Sequence, residues 1–251
     1  MAGLLALHGG AEFQRPDDAF LTALLRATAV GAALAGADRG PLRVALVTTA
    51  TAKHDPGATF AIGASALERL ARKLGLRVAV EEARAIDAAS AADREIASRI
   101  ARADLVHVPG GDPDVVLDVL GGSAALDAIR SAWRRGAAVA GASAGAMAFG
   151  RVTWTPGGMR TGFGWAGDLL VVPHADEARM DDAVRQRASM GEPRVGLLGL
   201  AECTGVIRDG NGRWRVEGIG HAWWVPAGGR VATTYGPGER IEVSAAPGAA
   251  A

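Results

Sequence analysis

The sequence predicts an α/β protein: a mostly parallel sheet with helices on both faces and an antiparallel hairpin at its C-terminal end. Three observations carry this. Short apolar runs alternate with longer Ala/Arg/Glu-rich segments of helical period, the pattern of parallel strands joined by crossover helices. Glycine-rich or polar loops follow those runs, at the strand ends where open sheets gather ligands. Late in the chain, two strand-like segments flank Asp209-Gly210-Asn211-Gly212, a hairpin signal because glycine and asparagine tolerate the positive φ such turns need.

Taken in order, the apolar runs place strands over 4–7, 43–47, 77–81, 105–108 and 137–140. Helical spacing covers 60–74, 88–103, 124–135 and 176–188. Gly75 and Gly136 stand where a left-handed residue closes a helix, and Ser123 and Asp176 stand where a side chain caps one. Residues 205–208 and 213–219 form the arms of the late hairpin, and 221–225 continues the β pattern. No repeat or linker divides the chain, so one domain is expected over 1–244, followed by a small-residue tail over 245–251 taken to be disordered.

A chain of 251 residues that is 49% hydrophobic and 22% charged can bury one substantial core. Basic and acidic residues both number 27, which argues against nucleic acid or a polybasic membrane surface as partner. The single cysteine, Cys203, excludes an intrachain disulfide and a cysteine zinc cage; a small buried hydrophobe is its expected role. The first residues lack the basic start and apolar length of a signal peptide, and no run approaches a membrane span. A cytoplasmic location is therefore expected.

The chemistry centres on Gly141-Ala142-Ser143-Ala144-Gly145, directly after an apolar run. A strand followed by G-x-S-x-G reads as a nucleophile elbow, so tight that only small residues fit beside the serine. Ser143 is the candidate nucleophile. Its base is expected to be His174, which follows the apolar run 169–172 and Pro173 and precedes a helix. Asp168 and Glu202 both qualify as the acid that orients the imidazole. The loops His8-Gly9-Gly10, Thr48-Thr49-Ala50-Thr51 and Pro109-Gly110-Gly111-Asp112 end three further strands. The amides of Gly111 and Ala144 are the expected oxyanion donors. Trp154 and Trp165 are candidates to line an apolar cleft, and Arg179 to clamp a substrate carboxylate.

Together Gly110-Gly111-Asp112, the elbow, His174 and Gly199-Leu200-Ala201-Glu202-Cys203-Thr204 resemble, in order, the motifs of the peptidase E and cyanophycinase family of serine peptidases. The resemblance spans about residues 4–225. It implies a three-layer, flavodoxin-like fold similar to class I glutamine amidotransferases, and it selects Glu202 over Asp168 as the third member. The elbow serine argues against an amidotransferase, which has cysteine there, and the order Ser, His, Glu against an ordinary α/β-hydrolase. The sequence departs from cyanophycinases where Pro113 replaces a glutamine, where the later motif reads Val172-Pro173-His174-Ala175, and where the arginine run thins to Arg179, Arg185 and Arg187. Gly110, Asp112, Pro113 and Arg179 would touch the substrate, but aspartyl specificity is not expected to carry over unchanged.

The resemblance thus implies hydrolysis of an amide bond, peptide or isopeptide, in a small peptide-like substrate, with no metal or organic cofactor. An esterase or acyltransferase, or an inert binding domain on the same scaffold, are the alternatives. Members often form dimers, so a homodimer is expected, with the Trp223-Trp224 pair as a C-terminal contact.

Overall fold

The computed structural model describes residues 3–34, 36, 40–191, 194–209 and 212–241. Its central sheet has eight strands in the order Arg240–Ile241, Trp214–Gly218, Thr204–Arg208, Leu5–His8, Ala138–Ala142, Leu105–Val108, Leu42–Val47 and Val78–Ala83. The parallel part comprises β1 (Leu5–His8), β2 (Leu42–Val47), β3 (Val78–Ala83), β4 (Leu105–Val108) and β5 (Ala138–Ala142). The antiparallel part comprises β10 (Thr204–Arg208), β11 (Trp214–Gly218) and β14 (Arg240–Ile241), added along the free edge of β1. The expected fold class is present, with the late hairpin β10–β11 inside the main sheet. Gly210 and Asn211 of its turn, and the tail 245–251, lie outside the described residues.

Alternation along the strands builds two cores. Val44 and Leu46 of β2 face α1 (Asp18–Leu34) and α2 (Pro56–Lys73), against Leu21, Leu24, Leu67 and Leu70. Ala45 and Val47 face the opposite layer, with Ile100, Val116, Leu120 and Ile129. That layer holds α3 (Ala88–Ala91), α4 (Arg94–Ala101), α5 (Pro113–Leu120), α6 (Ala124–Arg135) and α7 (Ala144–Phe149). Burying each such side chain contributes roughly 1.5–3 kcal/mol.

The caps behave as the residue types dictate. Ser123 accepts the Leu126 N–H, Asp176 accepts the Arg179 N–H, and Gly136 closes α6 at φ 110°. The helix expected over 88–103 is instead two, because Asp93 leaves the helix to cap α4, accepting the N–H groups of Glu95 and Ile96. The expected elements also omit α1, although its buried residues Leu21, Leu24, Leu25 and Thr28 follow the helical period.

The largest difference lies beyond the elbow. A hairpin of β6 (Val152–Thr155) and β7 (Gly158–Thr161) precedes β8 (Leu169–Val172), which is followed by α8 (Glu177–Ser189) and β9 (Gly196–Leu200). β8 and β9 do not join the central sheet. They form a second sheet with β12 (Ala222–Val225) and β13 (Thr233–Tyr235), in the order β13-β12-β9-β8. Besides the expected antiparallel addition to the central sheet there is thus a separate mixed sheet, in which β8 and β9 are parallel and β12 pairs antiparallel with β9 and β13. Trp223 and Trp224 lie inside this second sheet, each 8% exposed. The Trp224 ring packs over Gly196, where a Cβ would stand 2.2 Å from it. The pair is core and offers no exposed C-terminal contact.

Candidate active site

The carboxyl ends of β1, β4, β5 and β8 and the turn after β9 converge on one point. β5 ends in the elbow, where the backbone reverses so sharply that Ser143 adopts φ 45° and ψ −110°. A Cβ on Gly141 would stand 2.6 Å from the backbone of Gly145, and one on Gly145 would stand 2.2 Å from the Val108 carbonyl. Both glycines are thus imposed by packing. The Ser143 N–H donates to the His8 carbonyl at 2.9 Å, tying the elbow to the end of β1.

His174 follows β8 with φ 50°, and its N–H donates to the Gly9 carbonyl at 2.8 Å. Its Nε2 lies 3.1 Å from Ser143 Oγ, and its Nδ1 lies 2.9 Å from Glu202 Oε1. Glu202 arrives on the turn after β9, whose next residue, Cys203, also has positive φ and donates its N–H to the Gly10 carbonyl at 2.9 Å. The loop after β1 therefore braces both later segments. It is also a floor: a Cβ on Gly10 would stand 2.2 Å from His174 Cε1. The site is open, with the His174 side chain 38% and that of Glu202 62% exposed. A hydroxyl, an imidazole and a carboxylate in this series suit nucleophilic catalysis.

The other expected residues divide. The N–H groups of Gly111 and Ala144 donate to no partner among the described residues, and Gly111 is held at φ 146° against the Ala50 carbonyl. Asp112 caps α5 through Asp114 and Val115 and pairs with Lys53 at 2.9 Å, which holds its carboxyl below the usual range. Pro113 opens that helix. Asp168 pairs with Arg151 at 2.9 Å, away from the imidazole. Arg179 is exposed on α8, and among the described residues no ion pair holds its guanidinium. Trp154 packs beside the second sheet, its Nε1 2.8 Å from Met190 Sδ. Trp165 stacks on Trp133 and Phe149 at ring distances of 5.7 and 5.2 Å, so it fills the core edge. Among the described residues, no hydrogen bond or ring contact joins either tryptophan to Ser143, His174 or Glu202. Cys203 is buried, and burial pushes its thiol up from the ordinary value.

Two features are absent from the expectations. Glu12 accepts the Gly110 N–H at 2.6 Å; its signal in the sequence is only that it follows Gly9-Gly10 on the same edge. Beneath it, His8 Nδ1 accepts the Gly10 N–H at 3.2 Å and Asp17 Oδ2 accepts the Phe13 N–H at 3.0 Å. His8 Nε2 stands 2.9 Å from Asp17 Oδ1, close but poorly aligned for a hydrogen bond. Burial pushes the Asp17 carboxyl up, against the pull of His8 and the Phe13 amide. Among the described residues, no group of three or more His, Cys, Asp and Glu is arranged to hold a metal.

The class of protein follows from its family, a family of peptidases. The model of peptidase family S51 matches residues 42–210, more than half of the chain, and the protein belongs to that family. In fold it is similar to a peptidase from an acI-B1 Actinobacterium, at 21% identity and a TM-score of 0.75, covering 96% of this chain and 97% of that one. It is also similar to a putative peptidase E protein from Listeria monocytogenes EGD-e, at 16% identity and a TM-score of 0.58, covering 88% and 100%. No curated protein matches the chain. Among the described residues, no helix is long and apolar enough to cross a membrane.

Proposed function

We propose that the protein is a serine peptidase that hydrolyses an amide bond in a small peptide-like substrate through an acyl-enzyme on Ser143. His174 takes the hydroxyl proton as Oγ attacks the carbonyl carbon, then gives it to the departing amine. Glu202 accepts from Nδ1, which holds the proton on that nitrogen and leaves Nε2 as the base. Negative charge forming on the carbonyl oxygen is met by the amides of Gly111 and Ala144. Water, deprotonated by the same imidazole, then releases the acid and restores Ser143. No step calls for a metal or organic cofactor.

The observation that carries this reading is the unbroken series Ser143 Oγ, His174 Nε2, His174 Nδ1 and Glu202 Oε1, at 3.1 and 2.9 Å. The unpartnered amides of Gly111 and Ala144 support the oxyanion assignment. Glu12 already occupies the Gly110 N–H, so that amide is the less available donor. The substrate is proposed to be peptide-like rather than strictly aspartyl, because Asp112 is engaged by Lys53 and the α5 amides and, among the described residues, no ion pair or hydrogen bond ties the Arg179 guanidinium to Ser143, His174 or Glu202.

A fluorophosphonate probe tests the nucleophile. Labelling of the wild type and none of Ser143→Ala is expected, with a kcat loss of about 10⁶ for Ser143→Ala or His174→Ala on any cleaved peptide. Near-normal turnover by Ser143→Ala would sink the mechanism. If the protein labels but hydrolyses esters and no amide, the esterase alternative replaces this one.

A further inference from the structure

The chain from His8 to Phe13 meets all three segments of the proposed triad. Three consecutive carbonyls make the contacts. His8 accepts the Ser143 N–H at 2.9 Å, Gly9 accepts the His174 N–H at 2.8 Å, and Gly10 accepts the N–H of Cys203, next to Glu202, at 2.9 Å. This path is not one the backbone takes unaided. Gly10 has φ 123°, and Ala11 and Phe13, which are not glycine, have φ 57° and 68°. Such conformations persist only where the surroundings fix them.

Two buried polar side chains beneath the loop supply the fixing, His8 and Asp17. Their partners are amides of the loop itself: His8 Nδ1 accepts the Gly10 N–H at 3.2 Å, and Asp17 Oδ2 accepts the Phe13 N–H at 3.0 Å. A ring nitrogen that accepts an N–H carries no proton, so the proton of the neutral imidazole sits on Nε2. There it faces Asp17 Oδ1 at 2.9 Å. The Phe20 ring, packed on the imidazole at 4.5 Å between centres, offers that proton no comparable acceptor. The carboxylate is thus what keeps Nδ1 free for Gly10. Resting on the assignment of Ser143 and His174, we propose that His8 is a positioning residue for the reaction, with Asp17 fixing its tautomer. The pair holds Gly10 against the His174 ring and so sets where His174 Nε2 stands relative to Ser143 Oγ. Gly10 transmits any shift directly, since a Cβ built on it would stand 2.2 Å from His174 Cε1.

Two substitutions at one position separate positioning from packing. Asparagine sets its carbonyl oxygen where Nδ1 stands, so His8→Asn keeps an acceptor for the Gly10 N–H and gives up the Nε2 contact. Glutamine carries its amide one carbon further, so His8→Gln faces Asp17 and leaves the Gly10 N–H unmet. Asp17→Asn exchanges one oxygen for an amide nitrogen, and its remaining oxygen can serve Phe13 or His8 but not both. The readout is fluorophosphonate labelling of Ser143, resolved into a limiting rate and a half-saturating concentration. His8→Gln and Asp17→Asn are expected to lower the limiting rate about 10²-fold through misplacement, with the half-saturating concentration unchanged. His8→Asn should retain most of the rate. Ile129→Ala, a fully buried change in the opposite helical layer, controls for lost stability and should label at the wild-type rate. Equal losses in His8→Asn and His8→Gln, a wild-type rate in His8→Gln or Asp17→Asn, or a loss in Ile129→Ala as large as that in Asp17→Asn, overturns the proposal while labelling leaves Ser143 intact. If His8→Gln fails to fold, the smaller change Asp17→Asn decides. Absence of labelling in the wild type overturns the Ser143 assignment itself, and the role of His8 with it.

Discussion

Ser143 holds a backbone conformation of φ 45° that costs about 1–3 kcal/mol, and its surroundings leave it no alternative. Its N–H is fixed on the His8 carbonyl, and Gly141 and Gly145 fill spaces too small for any side chain. The imidazole is held as closely, since Gly10 stands where a Cβ would enter the ring. Gly10→Ala must therefore displace His174 or the loop, and Gly10 also has φ 123°. We expect it to lower kcat/KM about 10²-fold or more through misplacement, while circular dichroism shows the fold retained; unchanged activity would show that the floor is soft. Glu202→Gln should cost at most about 10⁴ in kcat, because an acid 62% exposed leaves water able to share the Nδ1 hydrogen bond. The elbow is legible in the sequence because its glycines answer to local sterics. Glu202 is legible only as one of two candidate acids until the family resemblance selects it, since the chain path through β9 is what brings it to His174, 28 residues earlier. Glu12 is harder still to see, with its partner Gly110 98 residues away.

Among the elements, those whose signals are local match most closely. α6 runs over Ala124–Arg135 as its Ser123 cap and Gly136 stop require, and β4 matches the expected 105–108. Ser123→Ala should remove about 1 kcal/mol, read as a shift of the denaturation midpoint at unchanged slope; a larger loss would mean that the Ser123 hydroxyl bond to the Leu120 carbonyl also matters. Leu67→Ala, in the layer between α2 and the sheet, should cost about 2–5 kcal/mol, because that leucine is fully buried among Leu46, Leu70 and Phe20. The sequence does not reveal which strands pair. The apolar runs of β8 and β9 resemble those of β4 and β5, yet they form a sheet of their own with β12. Pairing depends on which partner covers each face, and that is tertiary information. Local apolar period gives no view of it.

Across the whole molecule, the active edge is held by a polar layer buried under it, and that layer makes stability depend on pH. His107, on β4, is fully buried with neither ring nitrogen partnered, beside the Phe13 ring at 5.1 Å. Burial, reinforced by nearby His8, pushes its pKa down from 6.5 to about 3. Between those values the unfolded chain binds a proton that the folded protein refuses. Its contribution is therefore complete above pH 6.5 and is lost as pH falls toward about 3, at up to about 1.4 kcal/mol per unit. Asp17 acts in the opposite sense, because its folded value is raised above 3.8 and the stability it adds when protonated is lost as pH rises. The two are separated by the difference between wild type and His107→Leu, a near-isosteric change expected to cost less than about 1.5 kcal/mol at pH 7. Urea denaturation from pH 7 to pH 4 should show the wild type losing ground steadily to the variant. Parallel curves would mean that His107 gains a proton in the folded state, which its unpartnered nitrogens and complete burial argue against.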